Sequence, residues 1–236
     1  MEFKNEIGLI QRRMAASIAG TSRRLEILNA LDIESGQYVL DIGCGGGHLL
    51  EEIAKAVGPE GKAYGLDTSE DQLNQARKRC SLYKNVFTIK GYANQINLEN
   101  NSCDSICSVQ TFEYIDNVDD SIKELTRILK PSSIFVNISI LWEYYKFFGA
   151  DEELNKTIHD TFKAHCFHQM LPTSLEGKLK KFGFKNIKHK PLPMFITKRD
   201  DNSPAKFAEE VIGQFAIQQG ISEIKVNEWK RQLKLA

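Results

Sequence analysis

Apolar residues along the chain fall into two rhythms. Short solid runs (Tyr38–Ile42, Lys62–Leu66, Val86–Lys90, Asp104–Gln110 and Ile134–Ile140) read as buried strands. Between them apolar positions recur every three or four residues. Leu49, Leu50, Ile53, Ala54 and Val57 form one such face, and Ile122, Leu125, Ile128 and Leu129 another. Ser69 reads as an N-cap with Gln72 at its third helical position, for a helix to about Cys80. Gly58-Pro59-Glu60-Gly61 and Lys130-Pro131-Ser132-Ser133 read as helix stops. Strands alternating with helices predict an α/β fold, a doubly wound, mostly parallel sheet with helices on both faces.

Both ends depart from that alternation. Ile7, Ile10, Met14 and Ile18 predict one amphipathic helix over residues 5–20, and a second is predicted to start at Thr21 or Ser22 as N-cap. After Leu141 comes an aromatic cluster, Trp142, Tyr144, Tyr145, Phe147 and Phe148. Helices are predicted over 151–165, through Leu175, Leu179 and Phe182, and over 204–219 and 222–234. A strand over Asn186–Phe195 is confined by Pro191 and Pro193 to an edge or to its first half.

Composition narrows the class. With 31 basic and 31 acidic residues among 236, the net charge is zero, and no global pull toward nucleic acid or anionic membrane follows. No apolar run reaches the roughly 18 residues of a membrane span, and the first twenty residues carry charges where a secretory signal would be apolar. Cys44, Cys80, Cys103, Cys107 and Cys166 are odd in number and scattered. Reduced thiols in a cytoplasmic protein are expected, with no metal centre.

The chemistry concentrates at Asp41-x-Gly43-x-Gly45-x-Gly47, between the first strand and its helix. Asp67 follows Gly47 by 20 residues, the length of one helix and one returning strand. That spacing sets a carboxylate beside the glycine loop, within reach of ribose hydroxyls. A dinucleotide fingerprint wants a third glycine for helix–strand packing; His48 stands there. Asp41 before the loop can meet a ligand amine, and some 36 residues precede the first strand. All three features lean away from NAD.

At these residues the chain resembles the class I S-adenosylmethionine-dependent methyltransferases, over roughly Thr21 to Phe184. The matching runs are VLDIGCGGGHLLEEIA, AYGLDTSEDQLNQAR, CDSICSVQTFEYIDNVDDSIKELTRILKPSS and LEGKLKKFGF. The generic small-molecule branch, with its quinone-biosynthesis and arsenite-type members, is nearest. The resemblance implies a Rossmann-like methyltransferase sheet with a helical lid. It implies one domain over 1–236: N-terminal helices to 34, a cofactor core over 35–141, and a lid and C-terminal part beyond. It implies S-adenosyl-L-methionine as cofactor, with Asp41, Gly43, Cys44, Gly45 and Gly47 around the methionine part and Asp67 on the ribose. Thr68 and Gln72 stand beside these, Tyr92 and Ala93 on the adenine, and Gln110 at the carboxyl edge of the sheet. The chain departs from the family in three places. Tyr92 replaces a common aspartate, Ser132-Ser133 replaces a glycine pair, and the usual final antiparallel strand is not evident before Ala236.

The implied reaction is direct displacement at a sulfonium methyl by a small-molecule acceptor, in which the protein supplies alignment more than a base. Glu113, Tyr114, His165 and His168 are the candidates for orienting or deprotonating the acceptor; each also has a structural reading, and a single histidine in a helix is more often an exposed or capped residue. The aromatic cluster either lines an acceptor pocket or forms the core of the lid. Lys178, Lys180, Lys181, Lys185, Lys188 and Lys190 suit a phosphate-binding edge less well than a solvated, aggregation-guarding face. An NAD-dependent oxidoreductase, a cofactor-binding regulator without turnover, and an RNA methyltransferase are the competing readings.

Overall fold

The computed structural model describes residues 5–193 and 203–235. Two helices, α1 (Asn5–Ala16) and α2 (Ile18–Leu31), precede the alternating part. It runs β1 (Tyr38–Ile42), α3 (His48–Val57), β2 (Lys62–Asp67), α4 (Glu70–Arg79), β3 (Val86–Lys90), β4 (Cys103–Val109), α5 (Val118–Ile128) and β5 (Leu129–Ile138). Then follow α6 (Glu152–Phe162), α7 (Leu171–Lys181), α8 (Pro204–Gln218) and α9 (Glu223–Leu235). All strand pairs are parallel, in the order β3-β2-β1-β4-β5. The chain therefore winds outward from β1 in one direction and resumes at β4 in the other. The crevice between the carboxyl ends of β1 and β4 is the point where such sheets bind ligands.

Each face of the sheet owns a core, which is why its strands read as solid apolar runs. Leu40, Ile42, Leu66 and Ile106 pack with Ile122, Leu125 and Ile128 of α5 and Leu171, Leu175 and Leu179 of α7. Val39, Ala63 and Cys107 meet Ile27 and Leu31 of α2, Leu50, Ile53 and Val57 of α3, and Ala76 of α4. A third, wholly helical cluster joins Ile158 and Phe162 of α6 to Ile212 and Phe215 of α8 and Val226, Trp229 and Leu233 of α9. This is the lid. The Trp229 indole donates to Asn155 Oδ1 at 2.9 Å, so its one polar atom is satisfied inside that cluster. Among the described residues no helix is long and apolar enough to cross a membrane.

Four expectations need correction. The N-terminal segment is two helices broken at Ser17, not one helix to residue 20. The Ser17 hydroxyl accepts from Gly20 N as the N-cap of α2 and donates to Met14 O, a role assigned above to Thr21 or Ser22. Ile18, counted there in the apolar face, is consequently 90% exposed. Second, Lys130–Ser133 lies within β5. Cys103 pairs with Leu129 and Ser105 with Ile134, so a bulge absorbs these residues, with Ser132 at a φ of 66°. Third, Asn186–Pro193 forms no strand, its prolines lacking the donors a ladder needs; Met194 and Phe195 lie outside the described residues. Fourth, the capping box at Ser69 is only half made. Its hydroxyl accepts from Gln72 N, but its own N–H donates to Asp67 Oδ1 at 2.9 Å.

Candidate active site

A cavity of about 840 Å³ opens at the β1/β4 switch point, bounded by the glycine loop, the ends of β2 to β4, the inner face of the lid, and the N-terminal helices. That volume is near the top of the roughly 300–1,000 Å³ range of small-molecule pockets, enough for two ligands side by side.

The loop is shaped by its glycines at two points. Gly43 has a φ of 73°, and a Cβ there would fall 2.0 Å from Thr111 Oγ1, so the Thr111 side chain after β4 seats directly on the bare backbone of the β1 loop. At Gly47, φ is 79° and a Cβ would lie 2.8 Å from Ala76 Cα, which locks α3 against α4. Gly47 therefore stands behind the loop and not in the cavity wall. Asp67 fastens the loop from the neighbouring strand. Its Oδ2 accepts from Gly45 N at 2.9 Å while Oδ1 accepts from Ser69 N. The carboxylate, which also takes a backbone bond from Thr68, retains acceptor capacity for a ligand hydroxyl.

The electrostatics of this end are unusual. Asp41 is buried, and its carboxyl is pushed up to about 7 by burial first and the nearby Asp67 second, against the Cys107 thiol, which donates to Oδ1 at 3.8 Å. Asp67 is raised as well, by burial, in spite of its backbone donors. Two neighbouring carboxylates, with no cation paired to either among the described residues, suit a ligand that brings positive charge. His48, at the start of α3, is pushed down to about 4 by burial and then by Arg79 and Arg24, which keeps it neutral. Cys44 in the wall is held well above the usual thiol range by burial and Asp41, so it is an inert thiol.

Ten of the eleven residues expected around the cofactor meet in this wall: Asp41, Gly43, Cys44, Gly45, Asp67, Thr68, Gln72, Tyr92, Ala93 and Gln110. Gln110 adopts a φ of 51° just past β4, and its Oε1 accepts from Arg23 Nη1. The acceptor-side candidates separate. Tyr114 lines the cavity, its phenol raised well above the usual range by burial. Glu113 and His165 do not line it. Glu113 is fully buried behind the wall, where Oε1 accepts from Ile140 N at 3.0 Å and its backbone carbonyl accepts from Phe167 N and His168 N. Burial pushes its carboxyl up to about 7. His165 stacks on Phe162 at 3.9 Å between centroids, with Nδ1 2.6 Å from Phe162 O, and burial pushes it down to about 4. It is a lid-core histidine. His168 lies 3.0 Å from Asp116 O through Nε2, also outside the wall.

Of the aromatic cluster, Trp142 and Tyr145 face the cavity, Phe147 packs on Trp229, and Tyr144 and Phe148 are exposed. The lysine-rich segment is largely paired on its own surface. Lys178 and Lys181 both meet Asp119, Lys180 meets Glu176, and Lys190 meets Glu26.

Reading the residues in sequence missed the N-terminal contribution. Gln11, Met14, Ala15, Gly20, Arg23 and Arg24 all line the cavity. The α1 helix lies on the glycine loop, where Cβ atoms at Gly45 and Gly46 would approach Gln11 Nε2 at 3.2 Å and Arg12 Cδ at 3.0 Å. It is tied below by Arg12 to Asp71 at 3.0 Å and above by Arg13 to Glu210 at 3.6 Å. Two consecutive arginines on a helix that also buries Ile27 and Leu31 were the available signal.

Comparison with known proteins agrees with this geometry. A family profile described as a methyltransferase domain matches residues 33–208. A demethylmenaquinone methyltransferase of Geobacillus stearothermophilus is 32% identical over 115 residues, 48% of this chain and 49% of that protein. The crystal structure of a SAM-dependent methyltransferase from Aquifex aeolicus superposes with a TM-score of 0.54 at 26% identity, over 69% of this chain and 79% of its own. A Haemonchus contortus phosphoethanolamine N-methyltransferase 2, in complex with S-adenosyl-L-methionine, gives 0.60 at 22%, over 91% and 48%, a likeness of fold. The chain spans about half the length of the curated relatives it matches.

Proposed function

The chain belongs to the class I S-adenosylmethionine-dependent methyltransferases, and from that membership we propose that it methylates a small, largely apolar acceptor by direct displacement. The observation that carries this is the pair of carboxylates at the glycine loop, Asp41 buried and Asp67 half-buried. They would repel a dinucleotide pyrophosphate and suit a ligand bearing ammonium and sulfonium charge. The cofactor supplies an electrophilic methyl group on a sulfonium sulfur; everything else falls to the chain. Asp41 and the loop amides suit the amino-acid part, Asp67 the ribose hydroxyls, and Tyr92 with Ala93 the base.

The acceptor's share of the cavity faces Gln110, Tyr114, Trp142 and Tyr145. Tyr114 holds its proton and can donate a hydrogen bond, but it is a poor base. The acceptor therefore brings its own nucleophilic lone pair, and the walls supply alignment and exclusion of water, the main sources of rate in such a reaction. Glu113 acts as a positioning residue, bracing Ile140 and the 167–168 turn. One relative is a demethylmenaquinone methyltransferase, and a quinone-type acceptor would be in keeping with this wall.

Calorimetric titration with S-adenosylhomocysteine and with NAD tests the reading. Saturable binding of the first, weakened in Asp67→Ala, is expected. Binding of NAD alone would refute it. Accumulation of demethylated cofactor with any member of an acceptor panel would exclude a binding protein without turnover.

A further inference from the structure

The cavity divides by the strand order. The β1–β2–β3 side carries the glycine loop, Asp41, Asp67 and Tyr92; the β4–β5 side carries Gln110, Tyr114 and Ile140, and faces the lid through Trp142, Tyr145, Phe162 and Ile212. In this second, mostly apolar half lies one guanidinium, Arg23. Its partners among the described residues are neutral, with Nε donating to Ala19 O at 3.4 Å and Nη1 to the Gln110 amide oxygen. The other ionic groups of the wall are accounted for. Arg24 pairs with Glu52 at 3.0 Å, Asp41 and Asp67 belong to the glycine loop, and Asp116 is exposed to solvent.

A half-buried cation with no carboxylate beside it among the described residues is costly, and chains rarely keep one without a use for it. Burial lowers the Arg23 pKa, and the phenol of Tyr145 is near enough to feel its charge. The Nη2 nitrogen has no partner among the described residues, so the guanidinium offers a planar edge of the kind that grips a carboxylate with two parallel bonds. Trp142, on the same wall, has a buried indole N–H with no hydrogen-bond partner among the described residues, a second donor without an acceptor there.

We propose that Arg23 is the anion-binding group of the acceptor subsite, and that the acceptor is an apolar, flat molecule carrying a carboxylate. The proposal rests on the methyltransferase reading and gives it a substrate class. The apolar body packs between Trp142, Tyr145, Phe162 and Ile212, and its carboxylate meets Arg23 beside Gln110. Charge at one fixed point then orients a body that apolar walls alone would hold loosely.

The test is a pair of probes of equal shape, 2-naphthoate and its neutral analogue 2-naphthamide, titrated into the full chain loaded with S-adenosylhomocysteine. Wild type is expected to prefer the naphthoate by about tenfold or more, the size of a charge-assisted bond. In Arg23→Met the preference should fall to within about twofold while S-adenosylhomocysteine affinity stays within about threefold, and Arg23→Lys should recover part of it. Thermal melts of both variants report their folding. Equal binding of the two probes by wild type would overturn the proposal. So would an Arg23→Met protein that loses S-adenosylhomocysteine binding and keeps the naphthoate preference, since the guanidinium would then serve the cofactor's own carboxylate. Failure of wild type to bind S-adenosylhomocysteine is a separate readout and would count against the methyltransferase reading itself.

Discussion

Replacing Asp41 by Asn should stabilise the ligand-free protein at alkaline pH while weakening its hold on the cofactor. The Asp41 carboxyl is raised from its ordinary 3.8 to about 7 in the folded chain. The native state thus binds this proton more tightly than the unfolded state, and stability falls as pH rises from about 4 to about 7. At about 1.36 kcal/mol per pH unit, the full penalty above pH 7 is about 4 kcal/mol. Between pH 5 and pH 8 the same two values give a loss of about 2–3 kcal/mol, because part of the penalty is already present at pH 5. Asp41→Asn keeps the shape and can still accept from the Cys107 thiol, but it does not titrate. A buried amide short of acceptors costs something of its own, yet that cost does not vary with pH. Urea unfolding of both proteins at pH 5 and pH 8 isolates the effect as a difference of differences. Wild type should lose about 2–3 kcal/mol more than the variant over that interval. Glu113 and Asp67 titrate in both proteins and largely cancel. A difference below about 0.5 kcal/mol, or one of opposite sign, would refute the reasoning.

Other expectations are equally direct. Gly47→Ala forces a side chain into left-handed backbone and against Ala76, and should cost about 2–4 kcal/mol in urea unfolding without a direct contact to ligand; an unchanged midpoint would show that α3 and α4 can part. Asp67→Ala strips the Gly45 amide of its acceptor and should weaken S-adenosylhomocysteine binding by about 30-fold or more, read by calorimetry. Glu113→Gln preserves the acceptor for Ile140 N–H and removes a group titrating at about 7; it should fold and, with a working acceptor, turn over within about threefold of wild type, where loss of the essential base would show as about 100-fold or more. His165→Ala should cost about 2–4 kcal/mol of stability through the emptied stack on Phe162, read as a lower thermal midpoint, with cofactor affinity unchanged.

The strands were legible because each is buried on both faces and leaves a solid apolar run. Tyr38–Ile42 and Val86–Lys90 were bounded correctly at both ends. The glycine loop was legible because no other residue suits its backbone. What failed was set by a local cap that outweighs apolar spacing and by contacts distant in sequence. Ser17 breaks a helix that apolar spacing carries straight through. Residues 130–133 have the composition of a turn, yet pairing with β4 draws them into a strand as a bulge. The same limit applies in the site. Glu113 sits next to Tyr114 and just past a strand end, but the turn of the 112–114 segment sends one side chain into the core and leaves the other on the cavity. Arg23 belongs to the site only because α2 folds back across the end of β4.

The helix lying across the glycine loop has a kinetic meaning. Arg12–Asp71 and Arg13–Glu210 hold it with ion pairs that are part-exposed at 3.0 and 3.6 Å, and such pairs contribute about 0–1 kcal/mol each. Ile7 and Ile10 of the same helix are buried, so dissolved salt loosens only the polar part of this fastening. The residence time of a bound nucleoside should then shorten as ionic strength rises, more than its equilibrium affinity changes. Exchange of spent for fresh cofactor would be paced by a dozen residues that belong to neither the sheet nor the lid.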